Sequence, residues 1–181
     1  MLFRSVGLGV WQVERLHWKE ALIASVETGM RAPPVPLAEA LSRDLDGEEY
    51  HHVVIAGRFL HDKESYLFAQ GPKGAIGVQV ITPLVEENGE TVLVNRGFVP
   101  EALHDPKTRE AGQVTGTVAL TGVLRLSQEP GLFTPAPELA KRLWFVKNVP
   151  AMAKAADVSV TAPIMIEADA DRKSTRLNSS H

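Results

Sequence analysis

Val92-Leu93-Val94-Asn95-Arg96-Gly97-Phe98-Val99-Pro100 is the stretch on which the fold turns. Three apolar residues run as a strand, and a polar–cationic pair then meets a glycine, an aromatic residue and a strand-ending proline. Arg96 is placed at the rim of a sheet, where a guanidinium can fork onto a carboxylate. Gly97 beside it allows a bulge or a close backbone approach. Taken alone, Arg96 reads as an ordinary solvent-facing or structural ion-pair residue.

Outward from this stretch the chain alternates strands with turn signals. Upstream, Ala75 to Val85 reads as the partner strand, joined through Glu87-Asn88-Gly89, a hairpin signal of Asn-Gly type. Before it, Ser65 to Gln70 alternates in character and Gly71-Pro72-Lys73-Gly74 marks a turn. Residues 50–61 are β-rich, with Gly57 read as a bulge. Downstream, 101–112 reads as a polar surface loop and Val114 to Leu126 as a long strand bent at Gly116 and Gly122. Short helices are expected at Leu37–Leu41, after the Pro33-Pro34-Val35-Pro36 linker, at Pro137–Trp144 and at Pro150–Ala156, with a last strand over Thr161–Ala168. Consecutive strands with short turns pair antiparallel, and a strongly bent sheet can close into a small barrel. The fold class predicted is α+β, mainly an antiparallel sheet or small barrel with a few short helices.

A chain of 181 residues fits one domain with a core that needs no staple. Its 44% hydrophobic and 23% charged content is that of a globular protein, and a net charge of −3 argues against nucleic acid as a partner. Cysteine is absent, which removes disulfides, thiolate metal sites and cysteine nucleophiles. It also argues against Cu(I) delivery through soft thiolate ligands.

No phosphate-binding loop, dinucleotide fingerprint or nucleophile elbow is present. His51 and His52 are adjacent on a strand and point to opposite faces, so they do not share a metal. His61 and His104 beside Asp62 and Asp105 are read as solvated before they are read as zinc ligands. Glu86-Glu87 and Glu48-Glu49 are neighbouring carboxylates in turns, read as solvated before they are read as catalytic. The chain is therefore expected to hold no catalytic residue and no metal.

The ends differ from the body. Leu8, Trp11, Arg15, Trp18 and Leu22 fall on one helical stripe behind a short apolar start. That start is shorter than the roughly 20 residues of a membrane span. Trp11 and Trp18 with Arg15 and Lys19 match an interfacial belt where a span leaves the bilayer, although an amphipathic helix packed on the domain fits the same pattern. Lys173-Ser174-Thr175-Arg176-Leu177-Asn178-Ser179-Ser180-His181 has no periodicity and reads as a non-native tail on a broken frame. The expected organisation is a membrane-proximal helix over 1–29, a linker with a short helix over 30–49, a β-rich domain over 50–170 and a non-native tail over 171–181.

Several of these pieces, in order, resemble the Surf-one family, the surfeit-locus assembly factors of cytochrome c oxidase (Shy-one in yeast). The residues that carry the resemblance are Gly9-Val10-Trp11-Gln12 leading to Arg15 and Trp18-Lys19, His52 to Gly57-Arg58-Phe59, and Phe59-Leu60-His61-Asp62-Lys63-Glu64. It continues through Gly77 to Pro83-Leu84, Asn95-Arg96-Gly97 with Pro100, Thr121-Gly122-Val123-Leu124-Arg125 and Leu143-Trp144-Phe145-Val146. Phe98 stands where the family usually has tryptophan.

The resemblance implies a non-enzymatic, membrane-anchored chaperone of the bacterial inner membrane, its domain facing the periplasm. Its partners would be oxidase subunit I, other assembly factors and the lipid bilayer. It also implies a transmembrane helix running into the Trp11–Lys19 segment and a second after the domain, so the frame is expected to be truncated at both ends. Haem a is the cofactor implied for the full-length protein, through a histidine in the second span and so beyond this chain. Arg96 is the one candidate here for a propionate contact, against a structural role. The alternative function is a general extracytoplasmic protein-binding module on a membrane anchor.

Overall fold

The computed structural model describes residues 29 and 31–169 and the backbone of 175–176. Its centre is a closed ring of five strands: β2 (His52–Phe59), β6 (Thr117–Leu126), β8 (Ile164–Ala168), β5 (Thr91–Pro100) and β4 (Ile76–Glu86), with β4 returning to β2. Of the two expected forms, an antiparallel sheet or a small barrel, the barrel is observed. Its ladders are antiparallel except β5 with β8, where Leu93 lies opposite Met165 in a parallel pair. Tight turns impose antiparallel order on neighbours in sequence, but β5 and β8 are joined by a long excursion that leaves their direction free.

Alternation along the strands builds two of the three apolar clusters among the described residues. Val53, Ile55, Val92, Val94, Val118, Leu120, Leu124, Ile164 and Ile166 fill the barrel. Leu93 and Met165 point the other way and meet Trp144, Val149 and Met152 in a second cluster. The unbroken apolar runs Val92-Leu93-Val94 and Ile164-Met165-Ile166 thus belong to strands buried on both faces. The outer face is covered by a helix at Val149–Ala155, whose Asn148 cap accepts from the Ala151 amide at 3.0 Å. The segment read as a linker joins the fold: β1 (Val35–Pro36) pairs with β2, and Leu37 and Ala40, on a helix over Leu37–Leu41, enter the barrel core. A four-residue helical turn follows at Leu45–Glu48.

β4 and β5 outrun the barrel. Beyond it they form a second sheet with β3 (Ser65–Gln70) and the short β7 (Leu143–Trp144). Pro83 sits where one edge of β4 changes partner, since β3 pairs as far as Ile81 and β2 begins at Leu84. A missing amide hydrogen costs no ladder bond at that handover.

The structure corrects three expectations. Gly57 is not a bulge; it pairs regularly with Val118 and Glu86. It is needed for closure, because a Cβ there would stand 2.3 Å from the Val85 carbonyl oxygen. Gly122 is likewise in register, and its Cβ would meet the Glu167 carbonyl oxygen at 2.5 Å. The helix expected over Pro137–Trp144 is instead a tight turn: Glu138 and Leu143 exchange backbone hydrogen bonds at 2.9 and 3.1 Å, around a left-handed Arg142 (φ 52°). The Asn-Gly hairpin forms as expected through Glu87-Asn88-Gly89, closed by the Glu86 amide on the Glu90 carbonyl at 2.8 Å, with Gly89 at φ 86°.

Among the described residues no helix is long and apolar enough to cross a membrane. The helix expected over 1–29 lies almost wholly outside the described residues. Of the 171–181 tail, Thr175–Arg176 pair with Val118 and Ala119 of β6.

Candidate functional site: a buried carboxylate at the barrel seam

The single bulge in the β4–β5 ladder falls on Asn95-Arg96-Gly97. Gln79 faces Phe98 and Ile81 faces Asn95, so β5 carries one extra residue. Gly97 adopts φ 103°, a region that favours glycine. Asn95 fixes the kink from its buried side chain: Oδ1 accepts from the Gly97 amide at 3.0 Å, and Nδ2 donates to Gln79 Oε1 at 3.0 Å. Phe98, one residue on, lays its ring over Gly71 and Gly77, where either Cβ would strike it.

The bulge turns Arg96 onto Glu64, at the seam where the second sheet leaves the barrel. The Glu64 side chain is 2% exposed. Its Oε1 accepts from Arg96 Nη1 at 3.3 Å, Gln113 Nε2 at 3.2 Å and Thr82 Oγ1 at 3.5 Å, and its Oε2 accepts from Arg109 Nη2 at 3.2 Å. Arg96 therefore does not fork both nitrogens onto one carboxylate. Its Nη2 donates to the Gly112 carbonyl, and its guanidinium lies 4.8 Å from the centre of the Phe59 ring. Arg96 Nη1 also lies 3.4 Å from His61 Nδ1, while His61 Nε2 lies 2.9 Å from the Val114 carbonyl oxygen. The Val114 contact fits a proton on Nε2, and His61 Nδ1 also lies 3.6 Å from Glu64 Oε1. Burial pulls the Arg96 guanidinium below the ordinary arginine value, Glu64 raises it again and Arg109 adds to the lowering.

Glu64 thereby pins the excursion between β5 and β6. The segment read as a surface loop folds into short 3₁₀ turns at Glu101–Leu103 and Pro106–Gly112. Arg109 holds it in place, donating through Nε to the Leu103 carbonyl at 2.8 Å and through Nη2 to both Glu64 and the His104 carbonyl. Tyr66 and His104 pack with their rings tilted by 52° and their centres 4.2 Å apart.

Burial, and then the Glu64 carboxylate, raise the Tyr66 phenol above its ordinary value of 10.0. A raised folded-state value means that the stability contributed by Tyr66 is fully present below pH 10.0 and is lost as pH rises through the elevated value. Thermal melts between pH 9 and 11 should therefore fall more steeply for the wild-type protein than for Tyr66→Phe. Parallel slopes would show that Tyr66 does not titrate with unfolding.

Of the residues singled out from sequence, Phe59, Asn95, Arg96 and Gly97 meet at this site. Gly57, Pro83 and Gly122 form the barrel wall, Trp144 packs beneath the Val149–Ala155 helix, and Pro100 ends β5 opposite Gly77. Trp11, Gln12, Arg15, Trp18 and Lys19 lie outside the described residues. Sequence reasoning missed Glu64, Arg109 and Gln113 as a set. Glu64 closes the Phe59–Glu64 stretch, and its one local signal is a carboxylate immediately before a strand.

Haem, the cofactor the resemblance implies, would meet Arg96 through a propionate. The Arg96 guanidinium is spent on Glu64, His61 and Gly112, so a propionate would have to displace a buried carboxylate from it. The residues present do not fit that contact. Among the described residues no three metal-ligating side chains gather.

A model of the SURF1 family matches residues 1–180. Surfeit locus protein 1 of Rattus norvegicus is 38% identical over 178 residues, covering 90% of this chain and 57% of the rat protein. Its Homo sapiens counterpart is 36% identical over 179 residues, covering 90% and 58%. A SURF1-like protein of Monosiga brevicollis is 38% identical over 179 residues, covering 91% and 66%. The chain thus spans less than two thirds of the length of each of these relatives. It belongs to the SURF1 family.

Proposed function

We propose that this chain is the extracytoplasmic domain of a membrane-anchored, non-enzymatic assembly factor for cytochrome c oxidase. It acts on the bacterial inner membrane, faces the periplasm and assists haem a insertion or subunit I maturation. Family membership supports the oxidase reading. The observation that carries the non-enzymatic part is the Glu64 cluster, whose charges face one another. The carboxylate accepts from Arg96, Arg109, Gln113 and Thr82. A general base needs a free lone pair toward a substrate, and Glu64 has its oxygens committed to holding a strap. Anchoring is supported by the interfacial belt of Trp11 and Trp18 with Arg15 and Lys19 behind an apolar start.

The test is complementation. In a bacterium deleted for its own family member, the intact protein should restore the haem a absorbance of the membranes and oxidase turnover; unchanged spectra would end the reading. Arg96→Lys keeps the charge but cannot reproduce the contacts to Glu64 and Gly112 together. It should destabilise the domain by about 1–3 kcal/mol, with haem a content falling only as far as folded protein falls. Haem a loss with an unchanged melting curve would instead place Arg96 on the cofactor.

A further inference from the structure

The loop from Ser127 to Glu138 carries two adjacent apolar side chains in full solvent contact: Leu132 is 98% exposed and Phe133 97%. Single exposed apolar residues need no explanation, but this pair is held out by a built turn. The Gly131 amide donates to Thr134 Oγ1 at 2.9 Å and the Thr134 amide to the Gly131 carbonyl at 3.1 Å, which places Leu132 and Phe133 at the two central positions. Pro130, Pro135 and Pro137 stiffen both flanks. A rigid pair loses little entropy on docking, and burying two such side chains favours whatever receives them.

Charge selects the receiver. The loop contains Glu129 and Glu138 but no lysine or arginine. Glu138 meets Lys141 at 2.7 Å, whereas the carboxylate of Glu129 receives the neutral Asn148 amide at 3.3 Å. A bilayer-inserting tip is favoured by basic flanks facing anionic headgroups, and these flanks are acidic. A second copy carries the same net charge of −3 and would bring Glu129 toward another acidic surface. A convex Leu-Phe pair with a carboxylate at its base complements an apolar pocket rimmed by cations.

We propose that Leu132 and Phe133 form a docking knob for a separate protein presenting an apolar socket edged by lysine or arginine. The oxidase-assembly reading enters only in saying that this protein shares the membrane, where confinement raises its effective concentration.

The test uses the intact protein in membranes with a photo-crosslinking residue at position 133. The expected adduct is to another protein, with the attachment point mapping by mass spectrometry to an apolar pocket flanked by basic residues. Glu129→Lys should cut its yield at least fivefold and Leu132→Ser should abolish it, both with unchanged melting curves. Adducts to lipid or to a second copy, attachment at a site without basic residues, or a yield indifferent to Glu129→Lys would each overturn the proposal. The two readings separate in the complementation strain. Oxidase restored equally by a Leu132→Ser, Phe133→Ser double variant sinks the knob as an assembly contact. A specific adduct without oxidase rescue by the wild type sinks the oxidase reading alone.

Discussion

Glu64→Gln should lower the stability of the domain by about 3–5 kcal/mol, the range for breaking one side of a buried ion pair. At roughly 2–4 °C per kcal/mol for a chain of this size, the melting temperature should fall by on the order of 10 °C. The reason is an imbalance. Arg96 and Arg109, with side chains 17% and 11% exposed, both face this one carboxylate, and glutamine leaves two guanidiniums with no anion between them. Because the net worth of a buried pair is small, the loss should be largely reversed when the cations go as well. Glu64→Leu with Arg96→Met and Arg109→Met should be clearly more stable than Glu64→Gln alone. Urea unfolding measures all three proteins. A Glu64→Gln midpoint within 1 kcal/mol of wild type, on the usual scale of surface pairs, would mean that the cluster is wet and of little energetic weight.

Gly57→Ala should cost about 3 kcal/mol or more, and Gly57→Val should yield no soluble protein. One methyl group there meets the Val85 carbonyl oxygen at 2.3 Å, the Val85 carbonyl carbon at 2.8 Å and Leu84 Cδ2 at 2.4 Å. Two of those three atoms are backbone in the strand that closes the barrel, so relief requires β2 and β4 to part. Gly47→Ala is the matched control. It lies in the helical turn at Leu45–Glu48 with nothing within 4 Å of its Cβ, and should be neutral or gain up to about 1 kcal/mol. Equal stability of the two alanine variants would show that β2 and β4 do not close as described.

Those two sites mark where sequence reading stopped. Glycine at 57 and 122 was visible, and each was read as a bulge or bend because a strand glycine signals either a kink or a close neighbour. Which of the two applies depends on the strand lying across it, and that strand is far away in sequence. The kink lies at Gly97, where Asn95 and a positive φ make it local. For the same reason the Asn95-Arg96-Gly97 segment was the part of the site that could be anticipated.

Local chemistry determined the strands, the hairpin after Glu86, the short Leu37–Leu41 helix and the likeness to a family, since alternation, turn residues and ordered motifs are properties of neighbours in the chain. Tertiary structure alone decided the parallel pairing of β5 with β8, the turn that replaced a helix before Trp144, and the meeting of Glu64 with Arg96, Arg109 and Gln113. A carboxylate at position 64 and guanidiniums 32 and 45 residues away attract one another only after the barrel has closed and removed the water between them.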